Sequence, residues 1–168
     1  MEKAIIMAVD CIKKKCTNEK PLILHSVRVG FKLKELNQPK EVVIAGILHD
    51  LVEDTDCTIS QIKRKFGQKV ASLVSACSCP YQKNDKDRWL KFLNKIERAG
   101  KRAIFIKLAD ANDNLPYTEL IKDQAYLKRI LWKHQMVVEK LKPKMKNYQI
   151  FKEYYKNYKK MLRKLKTE

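Results

Sequence analysis

His49, Asp50, Glu53 and Asp54 crowd into the stretch Leu48-His49-Asp50-Leu51-Val52-Glu53-Asp54-Thr55. An imidazole and three carboxylates in one short, otherwise apolar segment suit two kinds of chemistry. They can ligate a divalent cation, and a carboxylate among them can take or give a proton. Ile44, Ile47, Leu48, Leu51 and Val52 recur at helical spacing, so the segment reads as one buried helix reaching Asp54. His49, Glu53 and the Asp50/Asp54 pair then stand a turn apart on it. Ionisable groups inside an apolar helix are costly to bury without compensation. A divalent metal at the His49–Asp50 step is the compensation these residue types favour. The competing reading, a solvent-exposed helix end that happens to be acidic, fits poorly in so basic a chain.

The chain holds two further histidines, His25 and His134. A lone histidine on an apolar face is more often a satisfied core residue than a ligand. Here His25, the His49–Asp50 step and Lys107-Leu108-Ala109-Asp110 coincide, which is more specific than any one of them. Mixed imidazole and carboxylate donors suit Mn²⁺, Mg²⁺ or Fe²⁺ better than a structural Zn²⁺ site, which would use thiolates. An ion held by His25, His49, Asp50 and Asp110 would keep positions open for water and a phosphate oxygen. There it would polarise phosphorus and acidify water.

The elements that must position these groups read as helices. Only 4 Gly and 5 Pro in 168 residues favour an all-α fold over one needing many turns. A first helix over 2–15 would turn Ile5, Ile6, Val9 and Ile12 inward. A second, over 21–36, would bury Leu24, Val27, Phe31 and Leu36, with residues 17–21 as the loop between them. Thr58 and Gln61 spell a capping box for the helix through Phe66 that Gly67 ends. Val70, Leu73, Val74 and Cys77 stripe the next. The polar stretch 80–87 reads as a mobile loop. Trp89, Phe92, Leu93 and Ile96 mark a helix stopped by Gly100. The apolar helix 104–115 carries Asp110, Asp113 and Asn114 and is expected to close at Pro116. Helices over 118–140 and 147–166 complete the chain.

Composition removes several function classes. No apolar run approaches the ~18 residues of a membrane span and residues 1–10 show no signal-peptide pattern, so a soluble, cytoplasmic protein is expected. Five cysteines at irregular spacing support neither a disulfide framework nor a zinc site. A net charge of +18 predicts attraction to polyanions, although such a charge is also common in lysine-rich proteomes.

The motifs together resemble the HD-type hydrolase domain of the RelA/SpoT stringent-response enzymes, closest to the stand-alone small alarmone hydrolases. Pro21-Leu22-Ile23-Leu24-His25 resembles the family's Pro-Tyr-Ile-x-His. His49-Asp50-x-x-Glu53-Asp54-Thr55 matches its His-Asp-x-x-Glu-Asp-Thr, and Lys107-Leu108-Ala109-Asp110 with Asn114 matches its Lys-Leu-Ala-Asp-x-x-x-Asn. The resemblance implies a single HD-type helical bundle, taken here as residues 1–142, and the pattern of residues 143–168 reads as a basic amphipathic C-terminal helix packed on it. It implies Mn²⁺ on His25, His49, Asp50 and Asp110. It implies removal of the 3′-diphosphate from guanosine tetra- or pentaphosphate, giving GDP or GTP and pyrophosphate. Glu53 and Asp54 would handle the attacking water and the leaving oxygen. Asn114, Lys107 and Lys15 would contact the nucleotide.

The chain departs from the family where the base is read. Cys16 and Thr17 occupy the positions of a basic pair, with Lys13, Lys14 and Lys15 as nearby substitutes. Leu22 replaces the family tyrosine, Ser26 a proline, and Ala111 and Pro116 stand where arginines are usual. Hydrolysis of another nucleotide is therefore one alternative. A non-catalytic basic RNA-binding protein is another, since residues 140–168 carry eleven Lys/Arg beside Tyr148, Phe151, Tyr154, Tyr155 and Tyr158. The spacing of Phe151, Tyr154, Tyr155, Tyr158, Met161, Leu162 and Leu165 favours a stripe packed on the body or on a second subunit of a homo-oligomer.

Overall fold

A computed structural model describes residues 1–16, 21–79 and 86–167. Among these residues the chain forms ten helices and no strand: α1 (Glu2–Lys14), α2 (Leu22–Glu35), α3 (Lys40–Leu48), α4 (Leu51–Asp54), α5 (Ile59–Phe66), α6 (Gln68–Cys77), α7 (Lys86–Ala99), α8 (Lys101–Glu119), α9 (Gln124–Met145) and α10 (Gln149–Thr167). The all-α expectation holds. The expected loop over 17–21 lies outside the described residues save for Pro21. That over 80–87 does so save for Lys86 and Asp87, which open α7.

α8 is the central strut. It is buried along most of its length and touches α2, α3, α6, α7, α9 and α10. α2 crosses α3 through two glycines. A Cβ on Gly30 would collide with Ile47 Cγ1, and one on Gly46 with Leu33 Cδ1. Only hydrogen at these positions lets the two helices that carry His25 and His49 approach so closely.

That contact explains why the inner face of α2 differs from expectation. α2 buries Leu22, His25, Ser26, Val29, Gly30 and Leu33, whereas Leu24 and Phe31 are 57% and 48% exposed. Against α3 lie Val29, Gly30 and Leu33, with Leu33 over Gly46 and Gly30 under Ile47, rather than Leu24 and Phe31. In α1 the buried residues are Ala4, Met7 and Ala8, while Ile6 is 56% exposed. Residues 4–9 are all apolar, so periodicity could not single out a face there.

The stretch expected as one helix through Asp54 is broken. α3 stops at Leu48 and α4 starts at Leu51. His49 Nδ1 donates to the Gly46 carbonyl at 2.8 Å, competing with the helical ladder, and Asp50 relaxes to φ −90°, ψ −10°. The Asp50 side chain caps nothing and is left to face the histidines.

Two prolines do not end their helices. α8 continues past Pro116 to Glu119, with the Thr118 hydroxyl donating to the Asn114 carbonyl and Leu120 N–H to Tyr117 O in a tightened last turn. α9 likewise runs through Pro143 to Met145, so the expected division after residue 142 falls inside a helix. α10 packs on α8 and α9 and buries Phe151, Tyr154, Tyr158 and Met161, as its stripe predicts. The Thr58–Gln61 capping box is present, and Gly67 and Gly100 take φ +85° and +91° at helix junctions, a region that favours glycine. No helix among the described residues is long and apolar enough to cross a membrane.

Candidate metal centre

Three elements bring the chemistry together. α2 supplies His25, the break after α3 supplies His49 and Asp50, and α8 supplies Asp110. His25 Nε2 lies 3.4 Å from Asp50 Oδ2 and 3.4 Å from Asp110 Oδ1. His49 Nε2 lies 3.0 Å from Asp50 Oδ1 and 3.6 Å from Asp110 Oδ1. The two imidazole rings stand 5.3 Å apart. Both Nε2 atoms are buried yet make no hydrogen bond among the described residues. Ligand atoms of His25, His49 and Asp110 lie within 4.8 Å of one another, a spread that one cation can span.

The other ring nitrogens explain how the Nε2 atoms come to face inward. His49 Nδ1 is held by the Gly46 carbonyl, and His25 Nδ1 by Asp113 Oδ2 at 2.7 Å. Each partner can only accept, so each Nδ1 carries a proton, and Nε2 is the atom that each ring presents to the centre. Arg28 in turn grips Asp113, with Nε to Oδ1 at 2.7 Å and Nη2 to Oδ2 at 2.9 Å.

Charge makes the same case for a cation. Burial alone would push both imidazoles down. The carboxylates around them reverse this, raising His25 to about 11 and His49 to about 10. Asp50 and Asp110 are held well below the usual carboxylate range. Burial opposes this but is outweighed, for Asp50 chiefly by His49 and for Asp110 chiefly by Lys107. Negative charge strong enough to hold protons on both rings would equally be neutralised by a divalent ion among the four side chains. The donor set, two imidazoles and two carboxylates, fits such an ion.

Glu53 and Asp54 follow within a turn of Asp50, on α4. Asp54 is buried. Glu53 is partly so, and its Oε1 accepts the Cys79 N–H. Burial, reinforced by the charge of Asp50, raises Glu53 to about 7. A carboxyl divided between its two forms at neutral pH is suited to moving protons.

A cleft of about 540 Å³ adjoins the centre through Lys107 and Asn114, which line it. Lys107 Nζ donates to Asp110 Oδ2 at 2.7 Å and Asn114 Nδ2 to Asp110 Oδ1 at 2.5 Å. Asn114 lies inside α8, so it is not a helix cap. Lys107 and Lys133, both on the cleft wall, place their ammonium groups 4.9 and 4.8 Å from the ring centre of Trp89. Burial, then the charge of Lys107, pushes Lys133 down. His134 also lines the cleft, but its Nδ1 meets Tyr154 Oη at 2.9 Å and its Nε2 meets Thr118 Oγ1 at 3.3 Å. Lys15 is not brought to this wall. It is exposed, beyond α1, and paired with Asp56 at 2.8 Å.

Sequence reasoning left Arg28, Asp113, Lys133 and Trp89 without roles. Arg28 follows His25, and Asp113 follows Asp110, by one helical turn. Reading each helix one turn past its ligand would have flagged both.

The profile of the HD domain family matches residues 4–129, three quarters of the chain. The chain belongs to the HD domain family. This HD domain is 36% identical over 107 residues to guanosine-3′,5′-bis(diphosphate) 3′-pyrophosphohydrolase of Aquifex aeolicus, covering 61% of the chain and 15% of that protein. It is 36% identical over 108 residues to the bifunctional (p)ppGpp synthase/hydrolase SpoT of Escherichia coli, covering 56% and 14%. The expected resemblance to RelA/SpoT enzymes is thus borne out, and the chain spans about 15% of the length of these curated relatives. Its fold superposes on a metazoan SpoT orthologue described as hydrolysing ppGpp, with TM-score 0.80, 23% identity and coverage of 95% and 93%. A Listeria monocytogenes protein superposes with TM-score 0.72, 24% identity and coverage of 86% and 99%. At those identities the likeness is one of fold.

Proposed function

We propose that this HD domain hydrolyses the 3′-diphosphate of guanosine tetra- or pentaphosphate to pyrophosphate and GDP or GTP. The observation that carries this reading is the pair of inward-facing Nε2 atoms of His25 and His49, without a hydrogen bond among the described residues, set between Asp50 and Asp110 and beside a cleft lined by Lys107 and Lys133. Its relatives' names supply the substrate. His25, His49, Asp50 and Asp110 would hold the divalent ion, Mn²⁺ before Mg²⁺ or Fe²⁺. When bound, such an ion supplies a Lewis acid that polarises phosphorus and acidifies water.

The protein's own groups do the rest. Water attacks the phosphorus that carries the 3′ oxygen, and the bond from phosphorus to that oxygen breaks. Glu53, near 7, accepts the proton of the water. The 3′ oxygen leaves as a hydroxyl, protonated by Asp54 or by Glu53 in its acid form. Lys107 and Lys133 meet the phosphates. An anion between two desolvated ammonium groups relieves their mutual repulsion. Asn114 keeps Asp110 turned to the centre and borders the nucleotide.

One observation favours a second reading, a different phosphorylated nucleotide. Lys15, the basic residue nearest the family's guanine-reading position, pairs with Asp56 instead of lining the cleft. Of the aromatics that an RNA-binding reading would stack on bases, Phe151, Tyr154 and Tyr158 are buried on the inner face of α10, while Tyr148 and Tyr155 are half-buried. A panel of nucleotides incubated with the protein and Mn²⁺, with pyrophosphate and orthophosphate both assayed, tests the proposal. Pyrophosphate from guanosine tetraphosphate supports it, and turnover of other nucleotides alone replaces the substrate.

A further inference from the structure

Asp113 and Arg28 form a bridge that the hydrolytic scheme above does not use. Asp113 sits on α8 one turn past Asp110, and Arg28 on α2 one turn past His25. The Asp113 carboxylate accepts three hydrogen bonds. His25 Nδ1 and Arg28 Nη2 reach Oδ2 at 2.7 and 2.9 Å, and Arg28 Nε reaches Oδ1 at 2.7 Å. Arg28 Nη2 is itself fixed on the Tyr117 hydroxyl at 2.9 Å. Tyr117 belongs to the cleft wall. The chain of contacts therefore runs from the cleft, through Tyr117, Arg28 and Asp113, to the buried ring of His25.

We propose that Asp113, locked by Arg28, is the positioning residue that orients His25 toward the cation. This rests on the metal reading of the centre. The physical ground is the fork geometry. A guanidinium binding both carboxylate oxygens fixes the plane of Asp113. With both its oxygens already accepting from Arg28, the carboxylate can only accept from His25, so Nδ1 carries a proton and Nε2 is the atom offered to the cation. The carboxylate also makes the imidazole a more basic ligand. His49 reaches the same tautomer by another route, through the Gly46 backbone carbonyl. Of the two histidines, only His25 has its orientation set by a side chain that substitution can remove. Arg28 and Asp113 lie 85 residues apart in sequence, so the bridge also ties α2 to α8. The test must separate that structural effect from positioning.

Mn²⁺ affinity, measured by isothermal titration calorimetry, and the melting temperature of the metal-free protein make that separation for wild type, Asp113→Leu, Asp113→Asn and Arg28→Met. Loss of an outer partner of a metal-bound histidine typically costs about 10–100-fold in metal affinity. Asp113→Leu is expected to weaken Mn²⁺ binding by about that factor, beyond any change in the metal-free melting temperature. Asp113→Asn should lose less, because its amide oxygen still accepts the Nδ1–H, and Arg28→Met should also lose less, because the carboxylate remains. Variants that melt earlier but bind Mn²⁺ as wild type does would reduce the bridge to a helix tie and overturn the proposal. Should Asp113→Leu not fold, unchanged affinity in both milder variants overturns it equally. A wild-type protein that binds no Mn²⁺ removes the metal reading itself, and this inference with it.

Discussion

His25 and His49 direct their Nε2 atoms at the same oxygen, Asp110 Oδ1, from 3.4 and 3.6 Å. They arrive there from two helices that approach each other through Gly30 and Gly46. The same oxygen is braced by Asn114, and its carboxylate partner by Lys107. A carboxylate so surrounded by donors has its direction fixed before any cation binds.

If the four side chains are ligands, removing one should remove the ion. His49→Ala and Asp50→Ala are each expected to lose Mn²⁺ in metal analysis after dialysis. A ligand at about 100 times its Kd adds about 2.7 kcal/mol to the native state, roughly 5–10 °C in melting temperature for a chain of this size. That gain, abolished by a chelator in wild type, should be absent from both variants. Metal content and thermal shift like those of wild type would discard the ligand set.

Gly30 faces Ile47 with no room for a methyl group. Alanine would raise helix propensity by about 1 kcal/mol. Overpacking against a β-branched side chain with few rotamers costs about 1–3 kcal/mol, so Gly30→Ala should destabilise on balance. Urea unfolding would show it as a lower midpoint at unchanged slope. A more stable variant would mean that α2 and α3 have slack between them.

How much of this was legible depended on what each residue must do. His25, His49, Asp50 and Asp110 could be picked out as one cluster because their types coincide in apolar helices, and the structure brings the four side chains together, their role as ligands being proposed. The Thr58–Gln61 box and the stops at Gly67 and Gly100 were readable because local geometry alone demands them. The inner face of α2 was not, because Leu24 and Phe31 are as hydrophobic as the residues that pack, while the contact with α3 is made by Val29, Gly30 and Leu33. The break at His49 arises from a side chain capturing a carbonyl, and the Asp113–Arg28 bridge from helices distant in sequence. Pro116 misled because it falls in the last turns of its helix, where few ladder bonds remain to be lost.

His134 predicts an acid-labile fold. Burial pushes its pKa down to about 4, and the neutral ring is satisfied by Tyr154 and Thr118. The unfolded chain takes up a proton near the ordinary value of about 6.5, before the folded one does. The contribution of His134 is therefore whole above about pH 6.5 and declines as pH falls from there to about 4, by roughly 3 kcal/mol in all. Comparing denaturant unfolding of wild type and His134→Gln across that range isolates it. The stability difference should narrow toward acid, and a constant difference would show that His134 does not titrate with unfolding.

The central claim is most directly tested by the pyrophosphate released from guanosine tetraphosphate by wild type and Glu53→Gln, at neutral pH with saturating Mn²⁺. Glutamine keeps the size of Glu53 and an oxygen for the Cys79 N–H but cannot take the proton of water. The wild type should release pyrophosphate and no orthophosphate. The variant should bind as much Mn²⁺ yet turn over about 10²–10⁴-fold more slowly, the usual cost of losing a general base. A wild type that releases no pyrophosphate, or a Glu53→Gln variant as fast as wild type, would contradict the account.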